Sequence, residues 1–210
     1  MNIIFYTSCL LCEKARAEYP LPICLKCQKS LDKEYMPRQI STAHITKILF
    51  CRQYKGLTAN CVKQIKYNNN VIFINVFTGI MQNLFEKNPV FTASDFIIPV
   101  PLHKTRYLNR GFNQSDLIAK KLKTILQIPL CGHNLIKIKN TRSQTSLTKK
   151  ERLENLKDSF RLKYPLEISK KTIILVDDVF TTGATLESCA IELAAAGAKK
   201  IFAFTLAKTP

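Results

Sequence analysis

The sequence of 210 residues predicts an α/β fold built on a parallel sheet, preceded by a small module and a mainly helical connecting region. After residue 94, short apolar runs of strand length alternate with segments of helical spacing, which favours parallel strands joined by right-handed crossovers. Before residue 36 paired cysteines stand out, and between these two parts the apolar spacing is helical. We therefore divide the chain into residues 1–35, 36–93 and 94–210.

Length and composition indicate a globular protein, because 46% of the residues are hydrophobic and a chain of this size can bury a core. The first nine residues lack the basic segment and the long apolar core of a signal peptide. The apolar stretch at 71–81 is too short and too polar to span a bilayer. These features predict a cytoplasmic protein without a transmembrane segment.

Four of the eight cysteines predict a metal site in residues 1–35. Cys9 and Cys12 form one Cys-x-x-Cys pair, and Cys24 and Cys27 form another after eleven intervening residues. Two such pairs can supply four thiolates to one tetrahedral Zn²⁺, although this separation is shorter than is usual. A segment of this size has too little core to fold alone, so a structural zinc would stabilise it. A redox pair is the alternative.

The remaining cysteines and the histidines show no such spacing. Buried free thiols are expected at Cys51, Cys61, Cys131 and Cys189. Structural or surface positions are expected for His44, His103 and His133, of which His103 stands beside a basic segment.

Apolar periodicity and turn residues predict the elements in order. We expect a mostly helical stretch over 36–95 with a break at Asn68–Asn70 and a second helix over 71–87, a strand over 96–98, a helix over 113–126, a strand over 134–138, a short helix over 148–157, a strand over 172–178, a helix over 184–196 and a strand over 200–207. Ligands of such folds bind at the carboxyl ends of the strands.

The stretch at 173–185 is the most informative of the chain. An apolar run ends in Asp177 and Asp178, and a loop rich in hydroxyls and glycine then leads into a helix. Backbone N–H groups at such a helix start attract an anion, and a glycine allows close approach. Carboxylates beside a phosphate cradle suit a ligand with vicinal hydroxyls, such as a ribose 5-phosphate. The alternative is a strand–turn–helix whose acids cap the helix.

This stretch resembles the ribose-phosphate loop of the type I phosphoribosyltransferases. The resemblance implies a parallel-sheet domain of that type, which binds phosphoribosyl pyrophosphate together with Mg²⁺. It also implies that Asp177 and Asp178 bind the ribose hydroxyls. The resemblance assigns the phosphate to Thr181, Thr182, Gly183, Ala184 and Thr185.

A basic segment follows the predicted strand at 96–98. Pro99 and Pro101 fix the exit of the strand, and Lys104, Arg106 and Arg110 come directly after it. Cations suit a pyrophosphate, and arginine in particular presents a planar fork that matches phosphate oxygens. Phosphoribosyltransferases carry a pyrophosphate loop at the corresponding place, whereas a solvated basic turn is the alternative.

Further motifs narrow the resemblance. They are Arg110-Gly111-Phe112-Asn113-Gln114, Thr141-Arg142-Ser143-Gln144-Thr145, Leu147, Glu151-Arg152, Asn155, Phe160 and the Asp177 loop. In this order they are similar to the bacterial competence protein F family, whose members join a phosphoribosyltransferase-like domain to an N-terminal Cys₄ zinc module. That resemblance implies a part in natural transformation, with single-stranded DNA, the DNA-import helicase and other transformation proteins as partners. It implies a cytoplasmic place, or a peripheral one at the inner membrane.

The net charge of +17 is unevenly distributed. Residues 101–152 carry 12 basic and 2 acidic side chains, and so hold ten of the 17 net charges. Such clustering is typical of a site for a polyanion or a polyphosphate, and a solvated basic face without a ligand is the alternative. Arg142 and Arg152 belong to a polar segment that we expect to act as a lid or as a nucleic-acid contact.

Three functions therefore stand open. The first is binding of phosphoribosyl pyrophosphate and single-stranded DNA during transformation, with Tyr107 and Phe112 as stacking surfaces. The second is an active phosphoribosyltransferase on an unknown acceptor. The third is a zinc-stabilised module that docks onto the DNA-import helicase. The start of the chain offers no cysteine nucleophile for glutamine-dependent amidotransfer.

Overall fold

A computed structural model describes residues 8–17, 20–34, 36–68, 70–140, 156 and 158–210. Its strands are β1 (Lys47–Gln53), β2 (Phe96–Pro99), β3 (Leu135–Lys137), β4 (Phe160–Leu162), β5 (Thr172–Phe180) and β6 (Lys200–Lys208). Its α-helices are α1 (Leu25–Asp32), α2 (Gly56–Tyr67), α3 (Thr78–Glu86), α4 (Lys104–Arg110), α5 (Gln114–Leu126) and α6 (Ala184–Ala195). Short 3₁₀ helices cover Val71–Phe77, Pro89–Phe91 and Pro165–Glu167.

The main sheet has four parallel strands in the order β1-β6-β5-β2, which confirms the predicted α/β fold. Strand β5 lies between two partners, with Phe96 opposite Ile173 on one side and Lys200 opposite Thr172 on the other. Strands β3 and β4 form a separate antiparallel pair. Because β2 and β5 are parallel neighbours, the segments that follow them emerge at one edge of the sheet.

Strand β1 was missed by the sequence analysis, which expected residues 36–95 to be mostly helical. Its five central residues are buried, and β1 pairs along its length with β6. A short apolar run does not distinguish a buried strand from a buried helix by its periodicity. Helix α2 and helix α3 do occupy the rest of this region, so the connecting region contributes both helices and one sheet strand.

The basic residues after β2 lie on a helix and not on a turn, which corrects the expectation of a loop. His103 caps the start of α4, where its Nδ1 accepts a hydrogen bond from Thr105 N at 3.3 Å. Gly111 ends the helix in the left-handed region at φ 79°. This conformation suits glycine, because a Cβ atom is disfavoured there.

Two apolar layers cover the sheet. One face packs against α2, α3, α5 and the cysteine module, and the other packs against α6 and the β3–β4 pair. Side chains of β5 alternate between the layers, with Ile174 and Val176 in the first and Ile173 and Leu175 in the second. Near the end of β5, Asp178 contacts Lys66 of α2 and Asp177 contacts Ser115 of α5. Among the helices that the structure describes, none has both the length and the apolarity to cross a bilayer.

Candidate functional site

The candidate site lies at the carboxyl edge of the sheet, where β5 ends and a short turn leads into α6. Thr181, Thr182 and Gly183 form this turn, and α6 begins at Ala184. The exit of β2 lies alongside, because Val100 N donates to Val176 O at 2.8 Å. The two sequence motifs therefore meet at one edge of the sheet.

Gly183 is required by the geometry of the turn. Its φ of +80° lies in the left-handed region, and a Cβ atom placed there would stand 2.7 Å from the Phe180 ring. The turn therefore folds closely over an aromatic side chain before α6 begins. Ala184 and Thr185 form the first turn of that helix, whose N–H groups favour an anion.

Asp178 is buried with one oxygen paired and one unpaired. Its Oδ1 lies 2.9 Å from the Nζ atom of Lys66, which belongs to α2. Its Oδ2 is buried and accepts no hydrogen bond from the described residues. An unsatisfied buried carboxylate oxygen is costly, so it indicates a place where a ligand donor or a cation belongs.

Lys66 is a site residue that the sequence analysis missed. Burial opposes its charge, but the neighbouring carboxylates of Asp178 and Asp177 raise its pKa. It follows Val62 and Ile65 on the buried side of α2, where a lysine is unusual without a partner. This break in the apolar face was the signal in the sequence.

Asp177 is held by a different set of contacts from those of Asp178. Its Oδ1 accepts from Ser115 Oγ at 2.8 Å and from Asp178 N at 2.9 Å. Burial, and next the negative charge of Asp178, raise the pKa of Asp177 to about 7. Asp177 can thus be partly protonated near neutral pH.

The cations of α4 lie on two sides of that helix. A cavity of about 390 Å³ is lined by Lys66, Tyr67, Arg106, Asn109, Arg110 and Phe112. Arg110 is fixed there, since its Nη1 donates to Gln114 Oε1 at 2.6 Å and its guanidinium lies 5.9 Å from the Tyr67 ring centroid. Lys66, which lines this cavity, also pairs with the buried Asp178.

Lys104 faces a second cavity of about 590 Å³. Its lining includes Lys104, Tyr107, His133, Lys137 and Lys163. Burial, and next the positive charge of Arg106, lower the pKa of Lys137. The predicted residues Arg142 and Arg152 lie outside the described part of the chain.

The predicted metal ligands are brought together by the structure. The sulfur atoms of Cys9 and Cys27 lie 3.8 Å apart, and those of Cys12 and Cys24 lie 3.8 Å apart. All four sulfurs lie within 4.8 Å of one another. A tetrahedron with Zn–S bonds of about 2.3 Å has edges of about 3.8 Å, so this cluster fits such an ion.

The other four cysteines are free and buried, as expected. The cysteine cluster shares its core with α2, since Cys9, Ile23 and Leu31 pack in the same apolar layer as Val62 and Ile65. Metal binding would therefore also stabilise α2, the helix that carries Lys66.

Known proteins resemble this chain over its second half and, more weakly, over most of its length. The family model for the phosphoribosyl transferase domain matches residues 108–210. Competence protein F of Haemophilus influenzae is 39% identical over 113 residues, which are 53% of this chain and 49% of that protein. DNA utilization protein YhgH of Escherichia coli K12 is 36% identical over 115 residues, which are 55% of this chain and 50% of that protein.

A third relative matches almost from end to end. Competence protein ComFC of Streptococcus pneumoniae is 25% identical over 206 residues, which are 89% of this chain and 87% of that protein. The chain matches about half the length of the first two relatives. Three observations support this similarity: the match to the phosphoribosyl transferase domain, the parallel sheet and the cluster of four cysteines. The chain is therefore similar to the competence protein F proteins and carries a phosphoribosyltransferase-like domain.

Proposed function

We propose that this chain is a DNA-uptake protein that binds phosphoribosyl pyrophosphate with Mg²⁺ and, on an adjoining surface, single-stranded DNA. The observation that carries the proposal is the buried and unpaired Oδ2 of Asp178 at the end of β5, beside a tight turn that leads into a helix. The names of the relatives, competence protein F and DNA utilization protein, support the part in DNA uptake.

Phosphoribosyl pyrophosphate carries a 5-phosphate at one end and a pyrophosphate at the other, and the proposed site has an anion-binding group for each. The turn at Thr181–Thr185 provides N–H and hydroxyl donors for the 5-phosphate, and Asp178 provides an acceptor for a ribose hydroxyl. The cavity beside Lys66, Arg106 and Arg110 would hold the pyrophosphate. Asp178, with its unpaired Oδ2, would help to hold Mg²⁺, which prefers oxygen ligands and would offset the charge of the pyrophosphate. In this proposal, the protonation state of Asp177 would set the charge next to Asp178.

Single-stranded DNA suits the basic surface around α4. Lys104 and Arg106 offer contacts for phosphates, while Tyr107 and Tyr67 are 49% and 73% exposed and can stack on bases. Phe112 is half-buried at the rim of the smaller cavity, where it supports the same surface. Arg142 and Arg152, which lie outside the described residues, are proposed as further nucleic-acid contacts.

Zinc at Cys9, Cys12, Cys24 and Cys27 has a structural part in this proposal. Four thiolates close the coordination sphere, so no position remains for a substrate. The module would act in the cytoplasm, or at the inner membrane when the DNA-import helicase and other transformation proteins are engaged.

Ligand-induced thermal stabilisation tests the ribose-phosphate site. With phosphoribosyl pyrophosphate and Mg²⁺ at 100 times Kd, we expect the melting temperature to rise by about 5–10 °C. Asp178→Asn should abolish this rise, whatever it does to the unliganded protein. Asp95→Asn is the matched control, because Asp95 accepts from Thr172 N at the opposite end of β5 and should leave the rise intact. Equal shifts in all three proteins would refute the assignment.

The salt dependence of binding to a labelled oligothymidine tests the DNA surface. Each phosphate contact on a single strand adds about 0.7 to the slope of log K against log salt. Lys104→Gln should therefore reduce the slope by about 0.7, measured by fluorescence anisotropy. Lys171→Gln should leave it unchanged, since that lysine pairs with Asp95 at 3.3 Å at the other edge of the sheet. A slope near zero in the wild type would rule out this surface.

A true transferase remains the second candidate, because the cations of α4 lie where a leaving pyrophosphate would need them. Release of pyrophosphate that depends on an added acceptor would favour it. Binding without release, over a panel of amine and nucleobase acceptors, would favour the binding protein.

A further inference from the structure

A second cluster of metal-binding side chains lies on the α6 side of the sheet, remote from the four clustered cysteines. It consists of Cys131, His133 and Glu167, whose sulfur, ring nitrogen and carboxylate oxygen all lie within 4.8 Å of one another. From the sequence, Cys131 was expected to be a buried free thiol and His133 a structural or surface residue. Cys131 is buried, whereas His133 and Glu167 are exposed, so the cluster opens toward solvent on one side.

The backbone fixes where Cys131 and His133 stand. Leu130 forms a bridge with Ile97 of β2, and Cys131 N donates to Ile97 O at 2.9 Å. Cys131 is thereby held against the edge of the main sheet. The Cys-x-His spacing then brings the imidazole of His133 to the same side, toward Glu167.

Glu167 is oriented by a buried asparagine. Asn134 Nδ2 donates to Glu167 Oε2 at 3.1 Å and to Tyr164 O at 2.9 Å, while Asn134 Oδ1 accepts from Tyr164 N at 2.9 Å. Carboxylates that bind metals are usually held in this way by a hydrogen-bonding neighbour. A carboxylate has about four lone-pair sites, so Glu167 can accept this bond and still bind an ion.

The spacing of the donors fits an ion better than it fits a salt bridge. His133 Nε2 lies 3.8 Å from Glu167 Oε2, which is beyond hydrogen-bond range, and both side chains are exposed. An exposed pair of this kind adds little to the stability of a fold, and it does not explain why a cysteine thiol lies beside it. Bonds of about 2.0–2.3 Å to one ion would place the three donor atoms about 3.3–3.8 Å apart.

We propose that Cys131, His133 and Glu167 bind a second divalent ion of the zinc class, in a site with one open coordination position. Sulfur, imidazole and carboxylate together suit Zn²⁺ or Co²⁺ and not Mg²⁺. Three protein ligands leave a fourth position for water or for an anionic oxygen. His133 also lines the cavity that holds Lys104, Lys137 and Lys163, so an anion in that cavity can reach the open position.

Metal stoichiometry of the full-length protein tests the proposal. Each protein is equilibrated with Zn²⁺, passed through a desalting column and measured for zinc by mass spectrometry. We expect two ions per wild-type chain, and one fewer in both Cys131→Ser and His133→Gln. Cys24→Ser should lose a different single ion, which separates the two sites.

His44→Gln is the matched control for the histidine. His44 Nδ1 lies 2.6 Å from Glu187 Oε1, so it forms a histidine–glutamate pair without a cysteine. This variant should retain both ions. Equal zinc content in the wild type, Cys131→Ser and His133→Gln would overturn the proposal, whether that content is one ion or two. Loss of an ion in His44→Gln as well would show a general effect on the fold and would also count against it.

Cobalt spectra provide a second readout that does not depend on recovery from a column. Titration of the zinc-free protein with Co²⁺ should give two phases of thiolate-to-cobalt absorbance, the larger from four thiolates and the smaller from one. Cys131→Ser should abolish the smaller phase alone. A single phase in the wild type would contradict a thiolate ligand at the second site.

Discussion

Lys66 and Asp178 form a buried ion pair that links α2 to the end of β5. The lysine side chain is 20% exposed and the aspartate side chain 7%, so water screens the contact little. Removing one partner of such a pair leaves an uncompensated charge, which usually costs about 3–5 kcal/mol. Loss of either partner should therefore destabilise the fold and change the charge of the site.

For Lys66→Met we expect the free energy of unfolding to fall by about 3 kcal/mol. Adding Asp178→Asn should recover much of the loss, because the lone buried carboxylate is then neutral. Denaturant unfolding of the two single variants and the double variant measures this coupling. Strictly additive changes would show that the two side chains do not interact.

Asp177 gives the protein a pH dependence opposite to that of an ordinary carboxylate. Burial raises the pKa of Asp177 to about 7, whereas an unfolded aspartate has a pKa of about 3.9. Between these values the unfolded chain has lost a proton that the folded chain keeps. The contribution of Asp177 to stability therefore falls as the pH rises from about 4 to about 7, and is constant outside that window.

Asp177→Asn removes this titration but keeps an oxygen that accepts from Ser115. Relative to the wild type, the variant should gain stability between pH 5 and pH 7, by at most about 1.4 kcal/mol for each pH unit. Urea unfolding at both pH values measures the difference. Asp95→Asn is a useful contrast, because the Thr172 N–H lowers the pKa of Asp95 and its variant should lose the same stability throughout pH 5–7. A difference between wild type and Asp177→Asn that does not change with pH would contradict the raised pKa.

At the scale of elements, the strand–turn–helix at 172–195 followed from the sequence because its signals are local. An apolar run, two acids and a glycine stand in order, and the structure places β5 and α6 within two residues of the predicted bounds. The helix α5 and the strands β2 and β6 were confirmed for the same reason.

The elements that sequence reasoning missed depend on distant partners. Strand β1 is defined by its pairing with β6, which is about 150 residues away along the chain. The helix α4 was taken for a loop because prolines precede it and its seven residues show no buried face. The contact between Lys66 and Asp178 could not be predicted from the sequence, because it depends on α2 packing at the carboxyl edge of the sheet.

The cysteine module should act as one cooperative element with its metal. Cys24→Ser opens the cluster, so we expect loss of one zinc and a fall in melting temperature of several degrees. Because the module shares its apolar core with α2, loss of the zinc should also loosen the packing of the helix that carries Lys66. Calorimetric melting with and without a chelator measures the effect, and re-addition of Zn²⁺ should reverse it in the wild type. A chelator that leaves the melting temperature unchanged would contradict a structural zinc.

At the scale of the whole molecule, the topology of the sheet brings charged side chains together at one of its edges. The parallel sheet brings the acids of β5 and the cations of α4 to one edge, and α2 adds Lys66 from the connecting region. The segment 101–152, which holds most of the net charge, begins at this edge. This placement supports the proposal that one small ligand and one strand of DNA bind to neighbouring surfaces at a single edge of the sheet.

The measurement that tests this account most directly is calorimetric titration with phosphoribosyl pyrophosphate, ribose 5-phosphate and pyrophosphate, each with Mg²⁺. If the β5 turn and the α4 cations form one site, the whole ligand should bind at one per chain and at least about tenfold more tightly than either fragment. The double substitution Asp177→Asn with Asp178→Asn should abolish that advantage. Equal binding of pyrophosphate and the whole ligand, unchanged by the double substitution, would mean that only a basic surface binds, and would contradict a ribose-phosphate site.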